Sequence, residues 1–314
     1  MRVLITGGFG FIGGRLAQFL ASRPGHEVWL GSRRTTESPA WLPQAKTVQT
    51  QWHSAAALEQ ICSGVDAVVH LAARNMKACA ADPRAALEFN AGVTDMLLQA
   101  AVRQRVKRFV YLSTAHVYGS PLSGVITEQT PTVALHPYAT SHRVGEESVV
   151  AAHLRGDIEG VVIRLSNAYG APAHLDADCW MLLVNDLCRQ LVITQQMLVH
   201  STGLQRRDFV PMADVCGAIA HLLAIPAHKL GRGLFNVGGA WAPTVWEMAC
   251  LVGERCEAIL GFPSQLCRTT TAAGETSTGL DYRLDTLLQT GFQPSADKIE
   301  EIDRLIKFCK TSLC

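Results

Sequence analysis

The segment TGGFGFIGG, Thr6 to Gly14, carries the glycine spacing that binds a dinucleotide. Gly7, Gly10 and Gly13 recur every third residue, and Gly8, Gly10 and Gly13 also satisfy GxGxxG. Glycine is needed where a chain turns sharply, where backbone approaches a pyrophosphate, and where a helix packs closely on a strand. A helix opening at such a turn offers free N–H groups and the positive end of its dipole to phosphate. A plain glycine turn is the alternative, but a strand before the segment and a helix after it favour dinucleotide binding. The next predicted strand ends in Gly31, Ser32, Arg33 and Arg34. An NAD site usually has an acid there for the ribose 2′-hydroxyl, whereas arginine accommodates a 2′-phosphate. The expectation is therefore NADP as preferred cofactor, with NAD possible if the two arginines only form a solvated pair.

These residues need a scaffold, and the first 115 positions alternate short apolar runs with helical spacing, the pattern of βαβ units around a parallel sheet. Strands are expected at Val3 to Thr6, Glu27 to Gly31, Ala67 to Leu71 and Arg108 to Ser113, and further ones at Gly160 to Leu165 and Gly233 to Val237. Helices are expected at Phe11 to Ser22 and Ala85 to Gln104, with Pro83 near the start of the second. The fold class that follows is α/β, a Rossmann-like doubly wound parallel sheet. After Asn167 the regularity breaks, which suggests a smaller, interleaved C-terminal substrate-binding domain. The expected division is 1–166, joined by part of 207–239, and 167–314.

At 314 residues the chain can bury a large core, and 48% hydrophobic against 18% charged residues excludes a disordered one. A net charge of +1 without charge runs points away from nucleic acid and membrane and towards a small-molecule partner. The ten cysteines form no CxxC pair and no zinc spacing, so reduced thiols in the cytoplasm and no metal are expected. No apolar run approaches the ~20 residues that span a bilayer.

The sequence resembles the extended short-chain dehydrogenase/reductase family, also called the NAD-dependent epimerase/dehydratase family, most of whose members act on nucleotide sugars. The matching motifs run in order from Thr6 to about Gly291. TGGFGFIG resembles the glycine signature and implies cofactor contacts by Gly7, Gly10, Phe11, Ile12 and Gly13. VVHLAA resembles the fourth-strand motif and implies the same for Leu71, Ala72 and Ala73; Ser32, Arg33, Arg34 and Gln51 would meet the adenosine end. FVYLSTAHVYG resembles the strand of the catalytic Ser or Thr and supplies Thr114. PYATSHRVGEE resembles PYxxSKxxxE and supplies Tyr138. VIRLSNAYG and RRDFVPMADV resemble segments that bind the substrate's nucleotide and diphosphate, implying substrate roles for Asn167 and Arg207. Relatives dimerise through a four-helix bundle, to which the 85–104 helix could contribute, so a homodimer is expected.

In the family, a lysine four residues after the tyrosine lowers its pKa and hydrogen-bonds the nicotinamide ribose. Bringing a tyrosine from ~10 to ~7 requires about 4 kcal/mol. A unit charge at ~4 Å in an effective dielectric of ~20 supplies about that much. This chain has His142 at that place. The i, i+4 spacing still allows it to face the site. A free histidine is only about a quarter protonated at pH 7, and the adjacent Arg143 points about 100° away. Thr114, Tyr138 and His142 are therefore expected to form a working but slower or pH-shifted catalytic set. Gln51 stands where an adenine-contacting Asp is usual, and Ala272 to Thr276 replace an arginine-bearing segment.

Thr114 is followed by Ala115 and His116, where 4,6-dehydratase relatives have Asp and Glu, which argues against dehydration. His116 is read either as a proton donor near the sugar or as a packed histidine. Two reactions remain, NADPH-linked reduction of a 4-keto nucleotide sugar and 4-epimerisation, both with Tyr138 as acid/base. The competing class is a catalytically silent NADP-binding sensor or partner protein, for which His142 and Gln51 speak.

Overall fold

Apolar runs without alternation must be covered on both faces, which is what parallel strands between helical layers provide. The computed structural model describes residues 1–34, 37–268 and 277–313. In chain order the first half comprises β1 (Arg2–Thr6), α1 (Phe11–Ala21), β2 (Glu27–Ser32), β3 (Lys46–Gln49), α2 (Ala55–Cys62), β4 (Ala67–His70), α3 (Met76–Ala81), α4 (Pro83–Leu87), α5 (Thr94–Arg103), β5 (Arg108–Thr114), β6 (Gly124–Ile126) and α6 (Pro137–Arg155). The second half comprises β7 (Glu159–Leu165), β8 (Asn167–Tyr169), α7 (Leu183–Thr194), β9 (Gln196–Val199), β10 (Phe209–Pro211), α8 (Met212–Ala224), β11 (Leu234–Val237), α9 (Val245–Leu260), β12 (Gln265–Arg268), β13 (Leu280–Tyr282), α10 (Asp285–Gln289) and α11 (Lys298–Leu313).

The main sheet has the order β11-β7-β5-β4-β1-β2-β3, parallel throughout. Its six expected strands all form, and Lys46–Gln49 adds the edge. Connections run outward in opposite directions from β1 and β4, so a crevice opens beyond their C-terminal ends, where doubly wound sheets bind ligands. Register makes this local: Thr6 pairs with His70, so the glycine turn and Leu71 to Ala73 emerge side by side.

The helix expected over 85–104 is divided. After α4 a π-helical turn runs over Glu88–Val93 before α5 begins. Asn90 explains the wider turn: its side-chain oxygen accepts from the Arg74 N–H at 2.7 Å and its amide donates to Ser141 Oγ at 3.0 Å. Such bulges often lie at functional sites.

A second apolar core gathers Tyr169, Leu187, Phe209, Met248, Val252 and Leu305 between α7, α9 and α11. The chain leaves the sheet after β7, returns through α8 to place β11 beside β7, and leaves again into α9. Among the described residues no helix is long and apolar enough to cross a membrane, and no cluster of His, Cys, Asp or Glu could hold a metal.

Candidate active site

The glycine turn shows why its spacing matters. Gly7 adopts φ +69°, which favours glycine, and its carbonyl accepts from the Gly10 N–H at 2.9 Å. A side chain on Gly13 would place Cβ 2.2 Å from the Gly7 carbonyl oxygen. One on Gly7 would meet the backbone of Leu71 and Ala72 at 3.0 to 3.1 Å. Gly10 caps α1 with no side-chain hydrogen bond, so the first N–H groups of α1, from Phe11 and Ile12 on, remain directed at the crevice. Side chains would fill this cradle, and the backbone donors suit a pyrophosphate.

At the adenosine end, Ser32 is buried and accepts from the Arg34 N–H at 3.2 Å, while the Arg33 and Arg34 side chains are exposed. Gln51 is exposed beyond β3, and the neighbouring Trp52 packs edge-on against His70 and Phe89. Ala272 to Thr276, where the arginine-bearing segment is replaced, lie outside the described residues.

Thr114 closes β5, buried, with its Oγ1 accepting from the His116 N–H at 3.2 Å, which leaves its own proton to be given elsewhere. Tyr138 stands in the first turn of α6, where Pro137 preorganises the helix start and the His136 ring accepts from the Tyr138 N–H at 3.1 Å. Burial pushes the Tyr138 phenol up to about 12; the charge it would feel from Cys79 acts in the same direction, and its hydrogen bond with Thr114 acts against both. One helical turn on, the His142 ring meets the Tyr138 ring edge-on at 4.6 Å. Thr114, Tyr138 and His142 are thus brought together.

The expected fractional charge on His142 is absent. Its side chain is 2% exposed, and burial lowers its pKa to about 4, with His116 pushing the same way and the Leu112 carbonyl opposing. Its Nδ1 lies 3.0 Å from the Tyr111 hydroxyl, and its buried Nε2 has no hydrogen-bond partner. His142 is therefore a neutral hydrogen-bonding group with one open nitrogen, not a weaker lysine. A buried nitrogen without a hydrogen-bond partner, one turn from Tyr138, suits a cofactor ribose hydroxyl, so the residues present fit the dinucleotide.

The residues expected to meet the substrate lie where the chain leaves and re-enters the main sheet. Asn167, at the start of β8, donates to the Asp208 carbonyl at 2.9 Å. Arg207 bonds Gln205 at 3.1 and 3.3 Å and has no carboxylate partner among the described residues; burial lowers its pKa. Its sequence neighbour Asp208 instead accepts from Ser166, Gly239 N–H and Trp241 N–H at 2.5 to 3.0 Å. Half-buried His116 stands edge-on to Tyr138 at 6.4 Å, and burial first, then Arg207 and His136, lower its pKa.

Sequence reasoning did not single out Tyr111 or Gly145. Gly145 was the readable signal, a glycine inside a helix that nothing local demands. A Cβ there would sit 2.6 Å from the Tyr111 hydroxyl.

With this geometry in view, the chain was compared with known proteins. The family model described as NAD dependent epimerase/dehydratase family matches residues 3–238. A dTDP-glucose 4,6-dehydratase from Actinoplanes sp. is 30% identical over 274 residues, 82% of this chain and 82% of that protein. A UDP-glucose 4-epimerase from Azospirillum brasilense is 30% identical over 272 residues, 81% of this chain and 77% of that one. The solved structure of TunA, an NAD dependent NDP-hexosamine 5,6-dehydratase, superposes with a TM-score of 0.77 at 28% identity, covering 99% of this chain and 98% of that one. All three are named as enzymes, so the silent-binder reading gains no support, and they carry three different reactions on one scaffold.

Proposed function

This chain belongs to the NAD dependent epimerase/dehydratase family, and from that premise we propose that it moves a hydride at a ring carbon of a nucleotide sugar, with Tyr138 as acid/base. The observation that carries the reading is the Thr114, Tyr138 and His142 cluster at the C-terminal end of the parallel sheet, beside a glycine cradle that side chains would fill. When bound, the nicotinamide supplies the hydride acceptor and donor. Tyr138 takes the proton of the sugar hydroxyl as the carbonyl forms and returns it as the hydroxyl is restored. Thr114, whose Oγ1 already accepts from backbone, keeps its proton for the reacting oxygen. His142 Nε2 offers a neutral donor to the cofactor ribose. Arg207, without a carboxylate partner among the described residues, holds the substrate diphosphate, and Asn167 its nucleotide portion.

Reduction of a 4-keto sugar and 4-epimerisation share these roles, and Ala115 beside Thr114 favours both over elimination of water. Arg33 and Arg34, with no acid at the end of β2, favour a 2′-phosphate and hence NADP. Replacing both arginines by alanine should weaken NADP binding about tenfold with NAD little changed; equal losses would remove that preference. For the assembly, the exposed Leu87, Val144 and Leu154 support a homodimer through the α4 to α6 region. The second core around α7, α9 and α11 serves in this reading as the substrate-binding domain.

The test uses UDP- and dTDP-glucose and their 4-keto-6-deoxy derivatives. Protein supplied with NAD or NADPH is followed by NMR and by the absorbance of reduced nicotinamide. Interconversion of hexoses without net cofactor change identifies epimerisation, and consumption of NADPH identifies reduction. Tyr138→Phe should lower either rate by about 10² to 10⁴. Turnover that survives this substitution would refute the assignment.

A further inference from the structure

Residues 171–178 follow β8 and leave the second core after Tyr169. Gly170 fixes where they start: its N–H donates to Asn185 Oδ1 at 3.3 Å and its carbonyl accepts from Asn185 Nδ2 at 2.9 Å. The buried Cys179 fixes where they end. In between, the Ala171 carbonyl accepts from Arg15 of α1, and Ala173 packs so close that a Cβ on Gly14 would lie 2.9 Å from its own. His174 donates from Nε2 to the Phe9 carbonyl at 2.9 Å, and its ring stacks on Trp41 at 5.2 Å. Trp41, from the connection between β2 and β3, in turn meets Phe9 edge-on at 6.0 Å. Further along, Asp178 accepts from the Asn75 side chain at 3.1 Å.

We propose that residues 171–178 are a strap that closes over the bound dinucleotide and gates its exchange, with His174 on Phe9 and Asp178 on Asn75 as the contacts that must open. The inference rests on the reading that the glycine cradle holds a dinucleotide.

Where the two ties lie decides what the strap covers. Phe9 stands between Gly8 and Gly10 of the cradle, just past the end of β1, and Asn75 stands just past the end of β4. These strands are neighbours, with Thr6 paired to His70, and the crevice that suits a dinucleotide opens beyond their C-terminal ends. A segment tied to one side at Phe9 and to the other at Asn75 crosses that crevice. Trp41 extends the first tie towards β2, where the adenosine end would lie. The ties are also weaker than the anchors. Asn75 and Asp178 are exposed, and a lone hydrogen bond between such groups exchanges readily with water. Leu175 and Asp176, between the ties, are exposed as well. Gly170 takes φ +143°, which favours glycine and turns the chain out of β8 into the strap. The middle of the segment can therefore lift while its ends stay in place.

The kinetics of dinucleotide exchange test this. Wild-type protein is mixed rapidly with NADH and with NADPH, the tighter being used, and followed by nicotinamide fluorescence. Dissociation is read by displacement with excess oxidised dinucleotide. A gate makes the observed association rate level off with rising dinucleotide, at the rate of strap opening. A rate that rises linearly to the highest concentration would overturn the proposal even if no variant folds. His174→Ala removes the Phe9 and Trp41 contacts, and Asp178→Ala removes the Asn75 contact. Each should raise the plateau and the dissociation rate together, by about tenfold for the first and about threefold for the second. The dissociation constant should stay within about twofold of wild type, because a strap that opens more often admits and releases alike. Faster dissociation with unchanged association would make these residues cofactor contacts and not a gate. Wild-type rates in both variants would make the segment a seam between the two cores, and either result overturns the strap alone. A wild-type protein that binds neither dinucleotide would overturn the reading of the cradle, and the strap with it.

Discussion

Replacing His142 by lysine tests how Tyr138 is ionised. Burial holds its phenol at about 12, and the neighbouring imidazole is neutral, so among the described residues no fixed cation takes the place one helical turn from Tyr138. Placing a unit positive charge at the His142 ring, 4.6 Å from the Tyr138 ring, in an effective dielectric of ~20 is worth about 3.6 kcal/mol. At 1.36 kcal/mol per unit, the Tyr138 pKa falls to between about 9 and 10. The sign follows from the charge, because a cation favours phenolate over phenol. At pH 8 the phenolate fraction would rise by two to three orders of magnitude, roughly 400-fold. The lysine itself pays for burial, and the Tyr111 hydroxyl, freed from Nδ1, can accept from the ammonium. A charge on bound oxidised nicotinamide acts on both proteins, so the difference between them remains. The assay is the pH dependence of kcat for the sugar oxidation step. Its rising limb should move two to three units towards neutral pH, with faster turnover near pH 8. A limb that stays in place would show that Tyr138 ionisation does not set the rate. Collapse of turnover would show that the imidazole has a task a fixed cation cannot perform.

Gly13→Ala would force Cβ to within 2.2 Å of the Gly7 carbonyl oxygen. We expect about 1 to 3 kcal/mol of destabilisation in urea unfolding and loss of dinucleotide binding, and wild-type behaviour in both would contradict the close-packing role. Glu146→Ala should cost about 3 to 5 kcal/mol, because it strands the buried Arg164 guanidinium that now bonds Glu146 at 2.6 to 3.2 Å; a change below about 1 kcal/mol would show that water reaches Arg164. His70 and His142 are buried neutral with pKa values lowered to about 3 and about 4, burial being the main cause in each. The unfolded chain binds their protons below about 6.5 while the folded one does not, so stability should fall with decreasing pH, by up to about 1.4 kcal/mol per pH unit for each imidazole. The decline starts near pH 6.5 and the His142 share levels off below about 4; urea midpoints that stay flat between pH 7 and pH 4.5 would argue that both rings are charged in the fold.

Much of the scaffold was legible because its signals are local. Apolar runs bounded by turns mark parallel strands, and the six expected ones all enter the main sheet. The spacing of Gly7, Gly10 and Gly13 encodes a turn whose close contacts exclude side chains. Tyr138 and His142, four residues apart, needed only helical geometry to share a face. The helix over 85–104 was less legible, because its π-helical turn is tied to hydrogen bonds that Asn90 makes with residues 16 and 51 positions away.

The sequence by itself determined the strand order's raw material, the phosphate cradle and the presence of histidine where a cation is usual. Only the tertiary structure decided what that histidine is. Its neutrality comes from desolvation by elements distant in the chain, and its open nitrogen from a tyrosine 31 residues away that occupies the other one. The same holds for Arg207, whose neighbour Asp208 turns to Ser166, Gly239 and Trp241 and leaves the guanidinium without an acid among the described residues. Periodicity and glycine stereochemistry act between near neighbours and can be read along the chain. Burial and the choice of hydrogen-bond partner depend on what folding brings alongside.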